Sequence, residues 1–400
     1  MKPIISSIWL TAAAVMLLAL PYAGAQAISD SLRISAEDAK ADVHSHKGMS
    51  CETCHGGLQN GARVKNETSG GHIRREQINQ LCGSCHADAV RMKQFNPSLR
   101  TDQLAKYQTS VHGMKFAHGD SKVAVCTDCH GAHGIRPASD PLSLVHPLNV
   151  ANTCKRCHAD AAYMKAYGIK TDQFAEYSNS VHHQAMTERG DLSAPTCSTC
   201  HGSHGAVPPG VNAIANVCST CHLMQAKFLD ESPHKDVFAD GCATCHGSHG
   251  IKHPTDEFIG MSAGTACANC HGTDDEGGKA ATAIHQHLAQ LESDVSNSRD
   301  VLNRAEHSGM DVTDAQLELK GASDALTKAR VSLHTSKLSR VDEDLQMGIT
   351  IAAKSRSVGE EAIAERRHRR RALWIPLSAI LAVVLSLVVY IREMERNGSR

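Results

Sequence analysis

Every cysteine of this chain sits in the same pentad, Cys-x-x-Cys-His. The sixteen cysteines form eight units: Cys51, Cys54 and His55; Cys82, Cys85 and His86; Cys126, Cys129 and His130; Cys154, Cys157 and His158; Cys197, Cys200 and His201; Cys218, Cys221 and His222; Cys242, Cys245 and His246; Cys267, Cys270 and His271. Two thiols at this spacing can add across the two vinyl groups of a haem, and the histidine that follows is delivered beneath the iron as its proximal ligand. Neither a zinc site nor a disulfide framework requires a histidine directly after every second cysteine. The pattern implies eight covalently bound haem c groups, with no thiol left over.

A low-spin iron needs a second axial ligand, and 18 of the 26 histidines remain for eight irons. Recurrence selects among them. His112, His182 and His234 hold the same place in successive repeats, the first two within Ser-Val-His. His133, His204 and His249 each stand three residues after a proximal histidine, in Cys-His-Gly-x-His-Gly. These six are the leading distal candidates. His46, just ahead of Cys51, is the seventh, with His44 its close competitor; His72 and His146 precede Cys82 and Cys154 and compete for the eighth place. His118 and His183 have no counterparts in the other copies and read as surface or supporting residues, while His253 stays open. A methionine ligand would raise the potential. Only Met92 and Met164 align, and they read as packing on a short helix.

Positioning these residues falls to an internal repeat. One copy runs from Cys82 through Ser110-Val111-His112 to the Cys126 unit and Gly134. The next runs from Cys154 through Ser180-Val181-His182 to the Cys197 unit and Gly205, and a shortened third from Cys218 through His234 to the Cys242 unit and Gly250. Each copy is a two-haem module; one unit precedes the set and one follows it. Aromatic residues make up only 4% of the chain, few for an ordinary core of this length. The porphyrins would then supply most of the buried apolar surface. The expected fold is mostly α with extensive irregular loops, a multihaem array of two-haem modules dictated by haem packing. A formal net charge of −1 argues against nucleic acid as a partner.

Flanking segments complete the expected organisation: a signal peptide over 1–27, an octahaem domain over 28–276, a helical hairpin or spacer over 277–371, a transmembrane helix over 372–391 and a cytoplasmic tail over 392–400. The N-terminus has a basic start, an apolar run and an Ala-x-Ala exit, the pattern of a secretory signal. Past Gly278, Ile284, Leu288, Leu291, Val295, Val301 and Leu302 keep helical spacing. Gly309 and Asp311 mark a stop and restart, and a longer helix is expected from there to the arginine cluster at 366–371. The bland reading makes this hairpin a spacer; the sharper one gives His285, His287 or His334 to the last haem, at Cys267, whose sixth ligand no repeat identifies.

Residues 372–391 hold no charge over 20 positions, enough at about 1.5 Å per residue to cross a hydrocarbon core of about 30 Å. Trp374 and Tyr390 sit near its two ends, as interfacial aromatics do. The upstream arginines alone would place that side in the cytoplasm. Haem attachment demands the reverse and is the stronger constraint, so those arginines face anionic headgroups or a partner subunit outside.

The modules, with their Ser-Val-His and Cys-His-Gly-x-His-Gly elements, resemble the multihaem cytochromes c of respiratory bacteria, and within them the membrane-anchored octahaem forms of the class III-like superfamily. The resemblance covers roughly residues 44–272. It implies bis-histidine haems and electron exchange with a membrane quinol oxidoreductase and with periplasmic or extracellular redox proteins, from a single-pass anchor in the cytoplasmic membrane with the haem domain in the periplasm. The chain departs from quinol dehydrogenases that anchor at their N-terminus and carry four or five haems. An electron carrier is therefore expected. The alternative is an octahaem oxidoreductase acting on a small inorganic nitrogen or sulfur compound at one open-site haem, but no lysine replaces a proximal histidine and histidine is in surplus.

Overall fold

Each attachment unit closes one helical turn, and the chain between units is turn and loop, so helices are short over the first half of the molecule. The computed structural model describes residues 36–55, 58–59, 62–63, 73–208 and 216–398. The expected signal segment and His72 lie outside the described residues.

The chain folds as two units, residues up to Pro209 with Ser248–Lys252, and Gly210–Gly247 with His253 onward. In the first, α1 (Ala36–Ala41), α2 (Val43–His46) and α3 (Cys51–His55) precede a two-residue antiparallel ladder, β1 (Leu58–Gln59) on β2 (Ala62–Arg63). Then come α4 (Arg75–His86), α5 (Ala89–Phe95), α6 (Gln103–Thr109), α7 (Val111–Ala117) and α8 (Cys126–His130). The second copy repeats the order as α9 (Pro147–His158), α10 (Ala161–Met164), α11 (Gln173–Ser178), α12 (Val181–Arg189) and α13 (Cys197–His201). Sequence repetition is structural repetition here. Tyr107 donates its hydroxyl to the Ala124 carbonyl at 2.8 Å, and Tyr177 to that of Pro195 at 2.9 Å. Met92 and Met164 are buried on α5 and α10, the packing place expected of them. Among the described residues few other apolar side chains of this unit are buried, and Ala185, Met186 and Ala194 form a small cluster.

The second unit holds α14 (Leu223–Asp230), α15 (Ala243–His246) and then α16 (Glu276–His307), α17 (Thr313–Ser332) and α18 (Leu338–Ala372). Asp275 caps α16, accepting from the Gly278 N–H at 2.8 Å. Gly309, at φ +82°, ends the turn after it, and Asp311 accepts from the Thr313 N–H as the next helix starts. The expected hairpin is a three-helix bundle. The single long helix read past residue 311 breaks at Leu333–Thr335, a 3-10 turn followed by Ser336 at φ +54°. No glycine or proline announces that break. Hydroxyls make it: Thr335 donates to the Ser332 carbonyl at 2.8 Å and Ser332 to that of Ala329, competing with the helical ladder.

The bundle carries the largest buried core: Leu288, Leu291, Leu302, Ala322, Ala329, Val341, Leu345 and Ala352 are fully buried. Each buried leucine contributes about 1.5–3 kcal/mol. A Cβ on Gly348 would stand 2.7 Å from Leu291 Cδ2 and 3.0 Å from the Ala325 Cβ. Gly348→Val is expected to destabilise the bundle by about 1–3 kcal/mol through overpacking. A lowered thermal midpoint checks this, and an unchanged one would show that α16 and α18 can move apart freely.

After Leu373 the helix resumes as α19 (Trp374–Gly398). Leu338–Gly398 is one helical run of 61 residues, with a window of mean hydropathy 2.6 that buries nothing within the protein. It is a candidate membrane span. The last three Cys-x-x-Cys-His motifs fold in the same unit as the bundle.

Candidate metal centres

The two recurring histidine elements are docked on one another by one repeated backbone hydrogen bond. Val111 N–H donates to the Ala206 carbonyl at 3.0 Å, and Val181 N–H to that of Ile251 at 2.9 Å. Val43 N–H donates to the Ile135 carbonyl at 2.8 Å in the same way. In each case a Val-His dipeptide lies against the residue just past a Cys-His-Gly-x-His-Gly element. The histidine's register is set by the side chain two positions before it. Ser110 accepts from Gly113 N–H at 2.9 Å, Ser180 from His183 N–H at 3.2 Å and Ser232 from His234 N–H at 3.0 Å. Asp42 does the same for His44 at 2.9 Å and also takes the Ile135 N–H at 2.9 Å. Asp42-Val43-His44 is thus a further copy of the Ser-Val-His element with aspartate as cap. Sequence reading missed it because the Ser-to-Asp exchange hides the likeness, though both residues are favoured caps.

Among the described residues, seven proximal histidines are seen facing a second imidazole. His55 pairs with His133 at a ring-centroid separation of 5.9 Å, His86 with His44 at 6.0 Å and His130 with His204 at 5.9 Å. His158 pairs with His112 at 6.1 Å and His201 with His249 at 6.1 Å. In the second unit His246 pairs with His334 at 6.3 Å and His271 with His234 at 6.0 Å. The ring planes fall into two classes. Pairs at His55, His130, His201 and His246 are near parallel, at 22°, 9°, 10° and 22°. Those at His86, His158 and His271 are crossed, at 81°, 70° and 62°.

Several of these rings spend Nδ1 on the protein and leave Nε2 for the facing ring. His44 Nδ1 meets Asp42 Oδ1 at 3.0 Å, His201 Nδ1 the Val207 carbonyl at 3.1 Å and His271 Nδ1 Asp275 Oδ1 at 3.2 Å. His234 Nδ1 meets Ser336 Oγ at 2.9 Å, and His334 Nδ1 the Val331 carbonyl at 2.9 Å. Such a partner fixes the tautomer that presents Nε2 to a metal. Burial holds His86, His112, His130, His158, His204, His246, His249 and His334 below the ordinary imidazole range, the form a metal accepts.

Other sequence candidates are placed differently. His46 directs Nε2 to the Lys40 carbonyl at 2.5 Å, so His44, its competitor, is the one brought to His86. His146 is buried as the N-cap of α9, its Nδ1 accepting the Leu148 N–H at 3.3 Å, because Pro147 starts that helix. His118 bonds the Met114 carbonyl at 2.7 Å and His183 packs edge-on against Tyr177, as supporting residues would. His285 bonds the Asp256 carbonyl at 3.0 Å and His287 bonds Asp342 at 2.7 Å, while the ring that faces His271 is that of His234. His182 keeps its Ser-Val-His place at the start of α12 and, like His222, is engaged with other groups.

All sixteen cysteines are unbridged, and thiols of consecutive units meet. Cys82 shares a hydrogen bond with Cys126, Cys154 with Cys197 and Cys242 with Cys218. Cys54 lies within electrostatic reach of Cys82 and Cys85, Cys129 of Cys157, and Cys245 of Cys267 and Cys270. Arg75 on α4 clamps two units together, with its guanidinium on both Asp128 oxygens at 3.2 and 2.5 Å and on the Val123 carbonyl at 2.7 Å.

These donors fit haem better than a bare ion. A metal about 2 Å from one nitrogen of each imidazole would hold ring centroids about 6 Å apart, the separation found at all seven pairs. Among the described residues, no three His, Cys, Asp or Glu side chains converge as a closed zinc site requires. Comparison with protein-family models, with curated proteins and with solved structures finds no match.

Proposed function

We propose that the chain is a membrane-anchored electron carrier binding eight haem c groups, of the kind its sequence resembles. The facing histidine pairs carry this reading: a proximal histidine that the motif supplies meets a distal histidine from another module at one recurring separation. His44, His112, His133, His204, His234 and His249 are the distal ligands, and His182 joins them by its place in the repeat. Bound haem supplies one reversible ferric–ferrous couple per iron.

The chain's own part is to hold, orient and enclose. Its closely placed cysteines set the motifs side by side within each unit of the fold, and its paired imidazoles would supply both nitrogen ligands of the haems they hold, leaving no position for a substrate. That favours a carrier over an oxidoreductase, which needs an open coordination position. The apolar α19 holds the array at a membrane, and export places it in the periplasm, between a quinol-linked membrane partner and soluble or extracellular redox proteins.

The test is a spectrum with a count. The purified protein should hold eight irons per chain, retained through denaturation, and should bind no carbon monoxide when reduced. Oxidised, it should give two low-spin electron paramagnetic resonance populations: a rhombic one from parallel imidazole planes and a strongly anisotropic one from crossed planes. A stoichiometric high-spin haem in the wild-type protein would overturn the carrier reading.

A further inference from the structure

Among the described residues, His334 is a paired histidine that no repeat supplies. It stands at the turn between α17 and α18, in the bundle, yet its ring lies 6.3 Å from that of His246 at an interplanar angle of 22°. That is the geometry of the repeat-derived parallel pairs. The neighbouring turn residue, Ser336, places its Oγ 2.9 Å from Nδ1 of His234, the histidine facing His271. One short turn therefore touches the axial partners of two consecutive attachment units.

We propose that this turn is a ligand clip: His334 is the sixth ligand of the haem at Cys242 and Cys245, and Ser336 is a positioning residue for His234 opposite the haem at Cys267 and Cys270. This rests on the haem reading above. It goes beyond it by making the bundle part of the electron-transfer module rather than a spacer.

The turn is built to hold its place. Thr335 and Ser332 are almost fully buried, and Thr335 Oγ1 bonds the Ser332 carbonyl at 2.8 Å and takes the Lys337 N–H at 3.3 Å. His334 is braced on the Val331 carbonyl, and Ser336 N–H closes the turn on the Leu333 carbonyl at 2.8 Å. The loop ahead of Cys267 is fastened to the same bundle, since Arg330 grips both Asp256 oxygens at 2.9 and 2.8 Å. With Nε2 given to iron, His234 carries its proton on Nδ1, and donating it to Ser336 makes the ring a stronger donor to the metal.

The full-length protein carrying all eight haems is the material for the test. His334→Ala should turn one iron in eight high-spin and raise carbon monoxide binding from none to one per chain. His285→Ala and His287→Ala should leave all irons low-spin. If alanine prevents folding, His334→Met should keep one haem low-spin with a sulfur-to-iron charge-transfer band. Ser336→Gly suits the left-handed backbone there. It should leave the spin state alone and move the potential of one haem upward. A His334→Ala protein with eight covalent haems, all still low-spin, overturns the ligand assignment, as does a His334→Met protein with an unaltered bis-histidine spectrum. Unchanged potentials in Ser336→Gly overturn the positioning role. A wild-type protein that holds fewer than eight haems would instead overturn the underlying reading, and the two failures are told apart by that count.

Discussion

Without haem attachment, residues 36–208 are expected to lose their fold while the three-helix bundle keeps its own. Ordering the backbone costs about 1–2 kcal/mol per residue, and a fully buried apolar side chain returns about 1.5–3 kcal/mol. Among the described residues of the first unit the buried apolar ones are Met92, Val123, Val125, Ala151, Met164, Ala185, Met186 and Ala194. Eight side chains, three of them alanine, cannot order a segment of that length. The bundle stands differently, with sixteen buried residues in one continuous cluster from Ile259 to Ala352. Exporting a chain with all cysteines replaced by alanine, followed by circular dichroism and limited proteolysis, checks this. The expected product is a protected fragment beginning near Glu276, and protection extending across residues 36–208 would show that the polypeptide folds without the porphyrins.

His44→Ala is expected to convert one of the eight irons to a high-spin, carbon monoxide-binding state, whereas His46→Ala leaves all of them low-spin. The two residues are neighbours on α2, so position along the chain does not distinguish them. Their hydrogen bonds do. Asp42 ties down both the N–H and Nδ1 of His44 and reaches across to Ile135, aiming the ring at His86. His46 has its Nε2 committed to the Lys40 carbonyl. Counting carbon monoxide bound per chain in the two variants decides it; equal effects, or an effect from His46→Ala alone, would reverse the assignment.

These two cases show what could be read from the sequence and what could not. Attachment units are local, so thiols and proximal histidine are spelled out by spacing. The distal partner is not local. His112 faces His158 in the following module, while His204 faces His130 in the preceding one, and a repeat marks equivalent positions without saying which copy each one serves. The repeat also hides its own variants. Asp42 stands where serine stands elsewhere, so His44 was placed only as the competitor of His46, and His334 belongs to no copy at all. The last attachment unit, whose sixth ligand no repeat identified, has His234 beside it; the unit before it meets His334, from outside the repeats. The bundle was legible as helix from its apolar spacing. Its break at Ser336 was not, because hydroxyl-to-backbone bonds and one left-handed residue make it, with no glycine or proline at the turn.

The ligand turn lies at the foot of the same helix that runs on into α19. α18 alone has 35 residues, about 50 Å of rise. With α19 in the bilayer, His334 and the histidines around it stand one helix-length clear of the lipid. For the electron carrier proposed above, height would then be a filter on which partners can exchange electrons with this end of the chain. A redox protein lying flush with the membrane falls short of it, while one that projects by a comparable distance, or diffuses freely in the aqueous space, can touch it. Deleting whole turns from α18 would lower the array step by step and trade one class of partner for the other, with no change to a single ligand.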